Sequence, residues 1–188
     1  MTLKKKSFLA LGAIFASLAL FVGYQLATTK NHSPQATVTL KTPAGLGATV
    51  VYCRPYKKGR LIFGEAKAGA LVPFGEYWRL GANAATEITF PAGTLFAGKA
   101  VPAGTYRMYA VPGPAAWKVV LNSELGQWGA RDADHGKDVL SVEVPAGSGP
   151  ASLEQFTINL APGATPDALQ LEFAWDTTLV RVPLGAAR

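Results

Sequence analysis

Proline and glycine interrupt the chain every few residues from Gln35 onward, and this punctuation is what most limits the folds open to it. Between the interruptions lie short runs of β-favouring residues. They occur at 37–41, 49–53, 87–90, 106–111, 117–121, 139–144, 156–160, 169–175 and 179–183. No amphipathic helical stretch of about twelve residues follows the N-terminal segment. The pattern therefore predicts an all-β, antiparallel fold.

The turns and the alternation of side chains extend this prediction. Pro-Ala-Gly recurs at 43–45, 91–93, 102–104 and 145–147, which suits type I turns between strands. The runs 139–144 and 169–175 have apolar residues at every second position, so each should have one buried and one hydrated face. Because no helix is available to cover the buried face, we predict an antiparallel β-sandwich of about nine strands over residues 37–188.

The N-terminus has the pattern of an export signal. Lys4, Lys5 and Lys6 precede an apolar run over 8–27. A spanning helix needs about 20 apolar residues, whereas a cleaved signal peptide has about 7–15 before its cleavage site. We predict a signal-anchor or signal-peptide helix over 1–28 and a linker over 29–36, and both alternatives stay open. By the positive-inside rule, the domain is then inner-membrane anchored or exported, on the periplasmic, extracytoplasmic side.

Charge and cysteine content exclude two classes of protein. Three of the 18 basic residues lie before the apolar run, so 15 remain against 12 acidic residues, a net charge of +3. These residues are scattered and form no basic stripe, so we expect no nucleic-acid partner. The single cysteine excludes an intrachain disulfide and a cysteine-based zinc site.

The segment 54–86 does not follow the strand pattern and is rich in glycine, aromatic residues and arginine. Long irregular segments often carry function, and guanidinium groups bind carboxylates or phosphates while aromatic faces stack on sugars. Here we place the candidate ligand-binding residues, Arg54, Arg60, Trp78, Arg79, Asn83 and Thr86, with Trp128 as a further aromatic candidate. In the alternative reading, the arginines bond loop carbonyls and the tryptophans fill the core or its rim.

Metal binding and catalysis have weaker support. Asp132, Asp134 and Asp138 have part of a calcium-loop spacing, but Lys137 occupies the position where such a loop needs glycine. Solvated turn acids are the alternative. We expect no cofactor and name no catalytic residue, because neither Gly-x-Ser-x-Gly nor His-Glu-x-x-His occurs. A glycosidase would need two carboxylates about 5–9.5 Å apart, and its candidates are Glu76, Glu87, Glu124 and Asp138.

Several motifs together resemble one known family. They are YCRP at 52–55, GRLIFG at 59–64, VPFGEYWRLGANAAT at 72–86, GK at 98–99 and PAGTY at 102–106, followed by Trp117, Asn122, Trp128-Gly129 and Asp138. This combination is similar to the DUF2911 family of exported bacterial proteins, whose function is unassigned. The resemblance covers the chain from about Gln35 to the end and implies one exported domain. It brings no activity, substrate or catalytic residue.

These observations lead to one expected function and two alternatives. We expect a membrane-tethered or exported, non-catalytic binding module for an envelope glycan, an anionic small molecule or a protein partner, attached to the membrane by its N-terminal helix. The first alternative is an envelope glycan hydrolase that uses paired carboxylates. The second is a structural subunit of a membrane complex.

Overall fold

The structure is a computed structural model that describes residues 15, 17–18, 20–23, 31–129 and 131–187. The chain divides after His32 into two units. In the first unit, residues 15, 17–18 and 20–23 are helical and exposed, and the rest of the predicted helix over 1–28 lies outside the described residues. Among the residues that are described, no helix has the length and apolar character needed to span a membrane.

The second unit is built mostly of antiparallel strands, as predicted. Its described residues form eleven strands: β1 (Gln35–Lys41), β2 (Gly47–Cys53), β3 (Phe63–Gly64), β4 (Val72–Pro73), β5 (Thr86–Phe90), β6 (Thr94–Phe96), β7 (Lys99–Val101), β8 (Gly104–Pro112), β9 (Ala116–Asn122), β10 (Asp138–Pro162) and β11 (Leu169–Ala186). Two short 3-10 helices cover Ala66–Ala68 and His135–Lys137. Nine of these described strands form one sheet in the order β1-β2-β5-β8-β9-β10-β11-β6-β7, and β3 and β4 form a separate parallel pair.

The long strand β10 corrects one prediction. The runs 139–144 and 156–160 belong to this single strand, and the runs 169–175 and 179–183 both belong to β11. The predicted turn at 145–147 is therefore wrong. The strand continues because its partner changes there: Pro145 pairs with Ala116 of β9, and Ala146 pairs with Val180 of β11. The Pro-Ala-Gly sequences at 43–45 and 91–93 lie between strands, as predicted, and the one at 102–104 ends on the first residue of β8. Of these three, only the sequence at 43–45 joins two strands that are neighbours in the sheet.

Distant parts of the sheet also meet. After β2, the chain runs beside the second half of β10: Tyr56 and Gln155 form an antiparallel bridge, and the amide of Phe156 donates to the carbonyl of Pro55 at 2.9 Å. Since hydrogen bonds join the nine strands into one sheet, the sandwich of two layers stays a prediction.

Five aromatic side chains form the centre of the core, which we call the aromatic cluster: Phe63, Trp78, Trp117, Phe156 and Trp175. Trp78 comes from the irregular segment and stacks on Trp175, with ring centroids 6.0 Å apart. It also contacts Trp117 edge to face at 5.7 Å. A tryptophan surrounded in this way contributes mainly through the apolar surface it buries and its aromatic contacts.

Replacing Trp78 with Ala should lower the free energy of unfolding by about 3–5 kcal/mol, because the cavity lies inside the aromatic cluster. The control is Trp128→Ala, which removes a side chain that is 59% exposed and should change stability by about 0.5 kcal/mol or less. Urea unfolding followed by circular dichroism measures both. Equal effects of the two substitutions would contradict the assignment of Trp78 to the core.

A second contact fixes the chain after β2 to the paired strands β10 and β11. Lys57 Nζ donates to Asp176 Oδ1 at 2.5 Å, and Ser152 Oγ donates to the same oxygen at 2.6 Å. Asp176 has a left-handed backbone, with φ 51°. The hydrogen bonds from Lys57 and Ser152 hold the pKa of the Asp176 carboxyl below its ordinary value.

The substitution Asp176→Asn should therefore act in a pH-dependent way. The interactions that lower the pKa stabilise the folded state at pH values above the unfolded pKa of 3.8. This contribution to stability is lost as the pH falls through the pKa of Asp176 in the folded protein. Asn tolerates the left-handed backbone. At neutral pH the variant should be less stable by about 1 kcal/mol or less, since the pair lies near the surface. Urea unfolding from pH 7 to pH 2 should show the two proteins converging below about pH 4. A constant difference over that range would refute the linkage.

Candidate functional site

The backbone at Trp78 positions the candidate site. Trp78 and Ala110 of β8 exchange two backbone hydrogen bonds, each of 2.8 Å, so the irregular segment runs beside β8 at this point. Neighbouring side chains of an extended segment point to opposite faces. Because the Trp78 ring enters the aromatic cluster, Tyr77 and Arg79 are directed to the other face.

Leu80 and Gly81, which follow Arg79, fix the path of the backbone after this position. Leu80 is fully buried with φ 54°, and its carbonyl accepts a 2.6 Å hydrogen bond from Thr86 Oγ1. Gly81 has φ 145°, and a Cβ at this position would lie 2.6 Å from the carbonyl oxygen of Cys53. Only glycine fits there. Arg79 is thus held between two buried neighbours, Trp78 and Leu80.

Arg79 lines a cleft of about 220 Å³, which we call the Arg79 cleft. Its lining residues are Leu71, Val72, Pro73, Glu76, Tyr77, Trp78, Arg79 and Asp132. The Arg79 side chain is half-buried, and within the described part of the chain it has neither a hydrogen bond nor an ion pair. Burial lowers the pKa of its guanidinium group. Tyr77 and Asp132 act in the opposite direction, and nearby Arg107 lowers the pKa further. The cleft therefore contains a partly desolvated cation whose donors have no partner among the residues that the structure describes.

Beside the cleft lies a buried ionic network around Arg107, which sequence analysis missed. Arg107 is 1% exposed. Its Nη1 donates to Glu124 Oε2 at 3.1 Å, and its Nη2 donates to Tyr77 Oη at 2.5 Å and to the carbonyl of Arg131 at 3.0 Å. Burial raises the pKa of Tyr77. The network fixes Tyr77 as a wall of the cleft and leaves its hydroxyl engaged. The alternation of side chains along β8 could have indicated this network, since Arg107 and Tyr109 share one face of that strand.

The metal candidates do not converge. Asp132 lines the Arg79 cleft, whereas Asp134 accepts a hydrogen bond from the amide of Gly136 at 3.0 Å. Asp138 accepts hydrogen bonds from Tyr109 Oη and Asn122 Nδ2, both at 2.8 Å. No group of three or more His, Cys, Asp or Glu that could hold a metal occurs among the residues that the structure describes.

The other predicted ligand-binding residues lie outside the lining of the cleft. Arg54 donates to Phe156 O and Thr157 Oγ1, at 3.3 and 3.0 Å. Arg60 donates to the carbonyls of Lys57 and Tyr56, at 2.9 and 2.5 Å. Thr86 is fully buried, Asn83 Nδ2 donates to Ser33 O at 3.4 Å, and the backbone of exposed Trp128 pairs with Ala84. Of the predicted set, the structure brings only Trp78 and Arg79 to the cleft, and a ligand-binding role for the others stays a prediction.

The carboxylates considered for hydrolysis have different surroundings. Glu87 Oε1 accepts a 2.7 Å hydrogen bond from the amide of Gly126. Glu124 and Asp138 are engaged by the side chains already described, while Glu76 lines the Arg79 cleft. Hydrolysis by a pair of these residues stays a prediction.

Comparison with protein families agrees with the motifs. The model described as "Protein of unknown function (DUF2911)" matches residues 33–184, which include the whole Arg79 cleft. The chain belongs to the DUF2911 family. This confirms the resemblance found in the sequence. Neither the comparison with curated proteins nor the comparison with solved structures gives a match.

Two other cavities of this DUF2911 domain differ from the Arg79 cleft in their charged groups. A groove of about 330 Å³ along β10 and β11 contains Glu172, Asp176 and Arg181. Each is engaged by the protein, Arg181 with Glu172 at 2.9 Å and Asp176 with Lys57. A cavity of about 210 Å³ beside Phe63 and Trp117 is lined by apolar, glycine and hydroxyl residues. Of these three cavities, the Arg79 cleft is the one with an unpaired charge among the described residues.

The half-buried Arg54 and Arg79 should respond differently to substitution. In the DUF2911 domain, Arg54→Gln removes charged donors from two acceptors on β10, so the free energy of unfolding should fall by about 1–2 kcal/mol. Arg79→Gln removes a partly desolvated cation that has no partner in the described part of the chain, and it should change stability by about 0.5 kcal/mol or less. Urea unfolding at pH 7 measures both. A loss for Arg79→Gln as large as that for Arg54→Gln would show that Arg79 has a structural role.

Proposed function

We propose that this DUF2911 domain is a non-catalytic binding module whose Arg79 cleft takes a small ligand by its anionic group, a carboxylate or a phosphate. The observation that carries the proposal is the state of Arg79, which is half-buried at the cleft without a hydrogen bond or ion pair in the described chain. Removing a charge from water is costly unless a partner compensates. A ligand oxyanion is such a partner, because guanidinium binds carboxylate and phosphate in a two-pronged geometry.

The contrast among the three arginines of the segment supports this proposal. Arg54 and Arg60 donate to backbone carbonyls and a hydroxyl, which satisfies an irregular loop that lacks regular backbone pairing. Arg79 lies between two buried residues and is directed away from the core, so its backbone is held in place, while its side chain has no hydrogen bond or ion pair among the described residues.

We infer that the two halves of the sheet face one another as two layers. The support is the contact between Trp117 of β9 and Phe173 of β11, whose rings stack with an interplanar angle of 11°.

We also infer that the domain acts on the extracytoplasmic side of a membrane, as an anchored or exported protein. The support is the lysine cluster at 4–6 followed by the apolar run over 8–27.

The binding proposal is tested by titrating the full-length chain, in detergent micelles at constant ionic strength, with acetate and with inorganic phosphate. Nuclear magnetic resonance of arginine Nε–H groups reports the contact. One of the two anions should bind saturably with a Kd of about 1–10 mM, as expected for a ligand of few atoms. Arg79→Gln should weaken binding at least about tenfold, equivalent to about 1.4 kcal/mol.

The matched control is Arg60→Gln, which removes the same charge from an exposed arginine of the same segment. It should leave the affinity for either anion unchanged. If Arg60→Gln weakens binding as much as Arg79→Gln does, the effect is one of overall charge and the proposal fails. It also fails if the unmodified protein binds neither anionic group, either as the free anion or as one end of a larger molecule.

A further inference from the structure

The Arg79 cleft contains charges of both signs. Besides Arg79, its lining includes the carboxylates of Glu76 and Asp132. Both are on exposed residues, and neither takes part in a hydrogen bond or ion pair through its side chain within the described residues. The three side chains together have a formal charge of −1. A ligand with only negative charge would be attracted by Arg79 and repelled by both carboxylates.

The neighbouring cations do not neutralise these two carboxylates. Arg107 is paired with Glu124 at 3.1 Å. Arg131 and Lys137 also lie against Glu124, at 3.8 and 3.7 Å. Each of these cations is thus directed to a carboxylate outside the cleft.

Asp132 and Arg79 are near one another without being joined. Both residues line the same cleft. Burial lowers the pKa of Arg79, and the charge of Asp132 opposes this shift. However, no ion pair connects these two described residues. Opposite charges at a cleft that stay apart leave room for a molecule that contacts both.

Part of the lining of the cleft is apolar. Leu71, Val72 and Pro73 line it, and Leu71 is 41% exposed. An apolar wall favours a short carbon chain between the charged ends of a ligand.

We infer that the ligand of the Arg79 cleft is a small zwitterion, in which an ammonium group and a carboxylate or phosphate are joined by a short carbon chain. The inference rests on the proposed function, since the anionic end binds Arg79. It adds a second requirement: the ammonium end is recognised by Glu76 and Asp132. The cleft then distinguishes zwitterions from simple anions by the repulsion that a simple anion meets.

The test compares four further probes with acetate and phosphate on the full-length chain at constant ionic strength: methylammonium, 4-aminobutyrate, β-alanine and phosphoethanolamine. The two amino acids differ in chain length, and phosphoethanolamine distinguishes a phosphate end from a carboxylate end. The best zwitterion should bind at least about tenfold more tightly than acetate, phosphate or methylammonium.

Variants assign the preference to its residues. In Glu76→Gln/Asp132→Asn, acetate should bind more tightly than it binds the unmodified protein, and the advantage of the zwitterion should fall to about twofold or less. The control is Asp167→Asn, which neutralises an exposed carboxylate outside the cleft and should leave every affinity unchanged.

The outcomes separate the two proposals. If acetate or phosphate binds as tightly as every zwitterion and Arg79→Gln abolishes that binding, the zwitterion inference is overturned while the proposed function stands. If no probe binds, or if binding is unchanged in Arg79→Gln, both are overturned. Tight binding of methylammonium alone would also overturn both, because it would make the cleft a site for cations.

Discussion

The insertion of Trp78 into the aromatic cluster is the constraint on which the rest of the structure depends. Residues between β2 and β5 have little regular backbone pairing, with only the two-residue strands β3 and β4 and one 3-10 turn. The ring of Trp78 and its two backbone hydrogen bonds to Ala110 fix this segment to β8. Because side chains alternate along the chain, the burial of Trp78 also directs Arg79 outward. Core packing and the construction of the cleft are therefore two results of one contact.

A second constraint is electrostatic and lies on the outer face of β8 and β9. The pair Arg107–Glu124 is almost fully excluded from water, with side chains 1% and 10% exposed. Such a pair adds little net stability compared with apolar residues, because both ions lose their hydration. Its geometry is more informative than its energy. The guanidinium group binds the hydroxyl of Tyr77 and the carbonyl of Arg131, so it joins one wall of the cleft to the segment that includes Asp132.

Much of the fold could be predicted from the sequence, because alternation and Pro/Gly turns are local signals. The strands β1, β2, β5, β8 and β9 follow such signals closely. The continuation of β10 through Pro145 could not be predicted in this way, since it depends on β9 and β11 supplying partners on either side of that proline. The same limit applies to the site. Arg54, Arg60 and Arg79 look equivalent in sequence. Only the tertiary partners of each side chain separate the first two from Arg79, which has no hydrogen bond or ion pair among the described residues.

The 25-residue strand β10 has a consequence for how the domain can be altered. Its first half completes the part of the sheet that contains β8 and β9, and its second half pairs with β11. Pro145-Ala146-Gly147 looks like a surface turn and would be an obvious place to insert a tag, open a circular permutant or split the chain. In the folded protein it is the point at which the two halves of the sheet share one backbone, so a break there would separate the parts of a single folding unit. The Pro-Ala-Gly sequence at 43–45, between β1 and β2, should accept an insertion without this effect, because it joins two neighbouring antiparallel strands at the edge of the sheet.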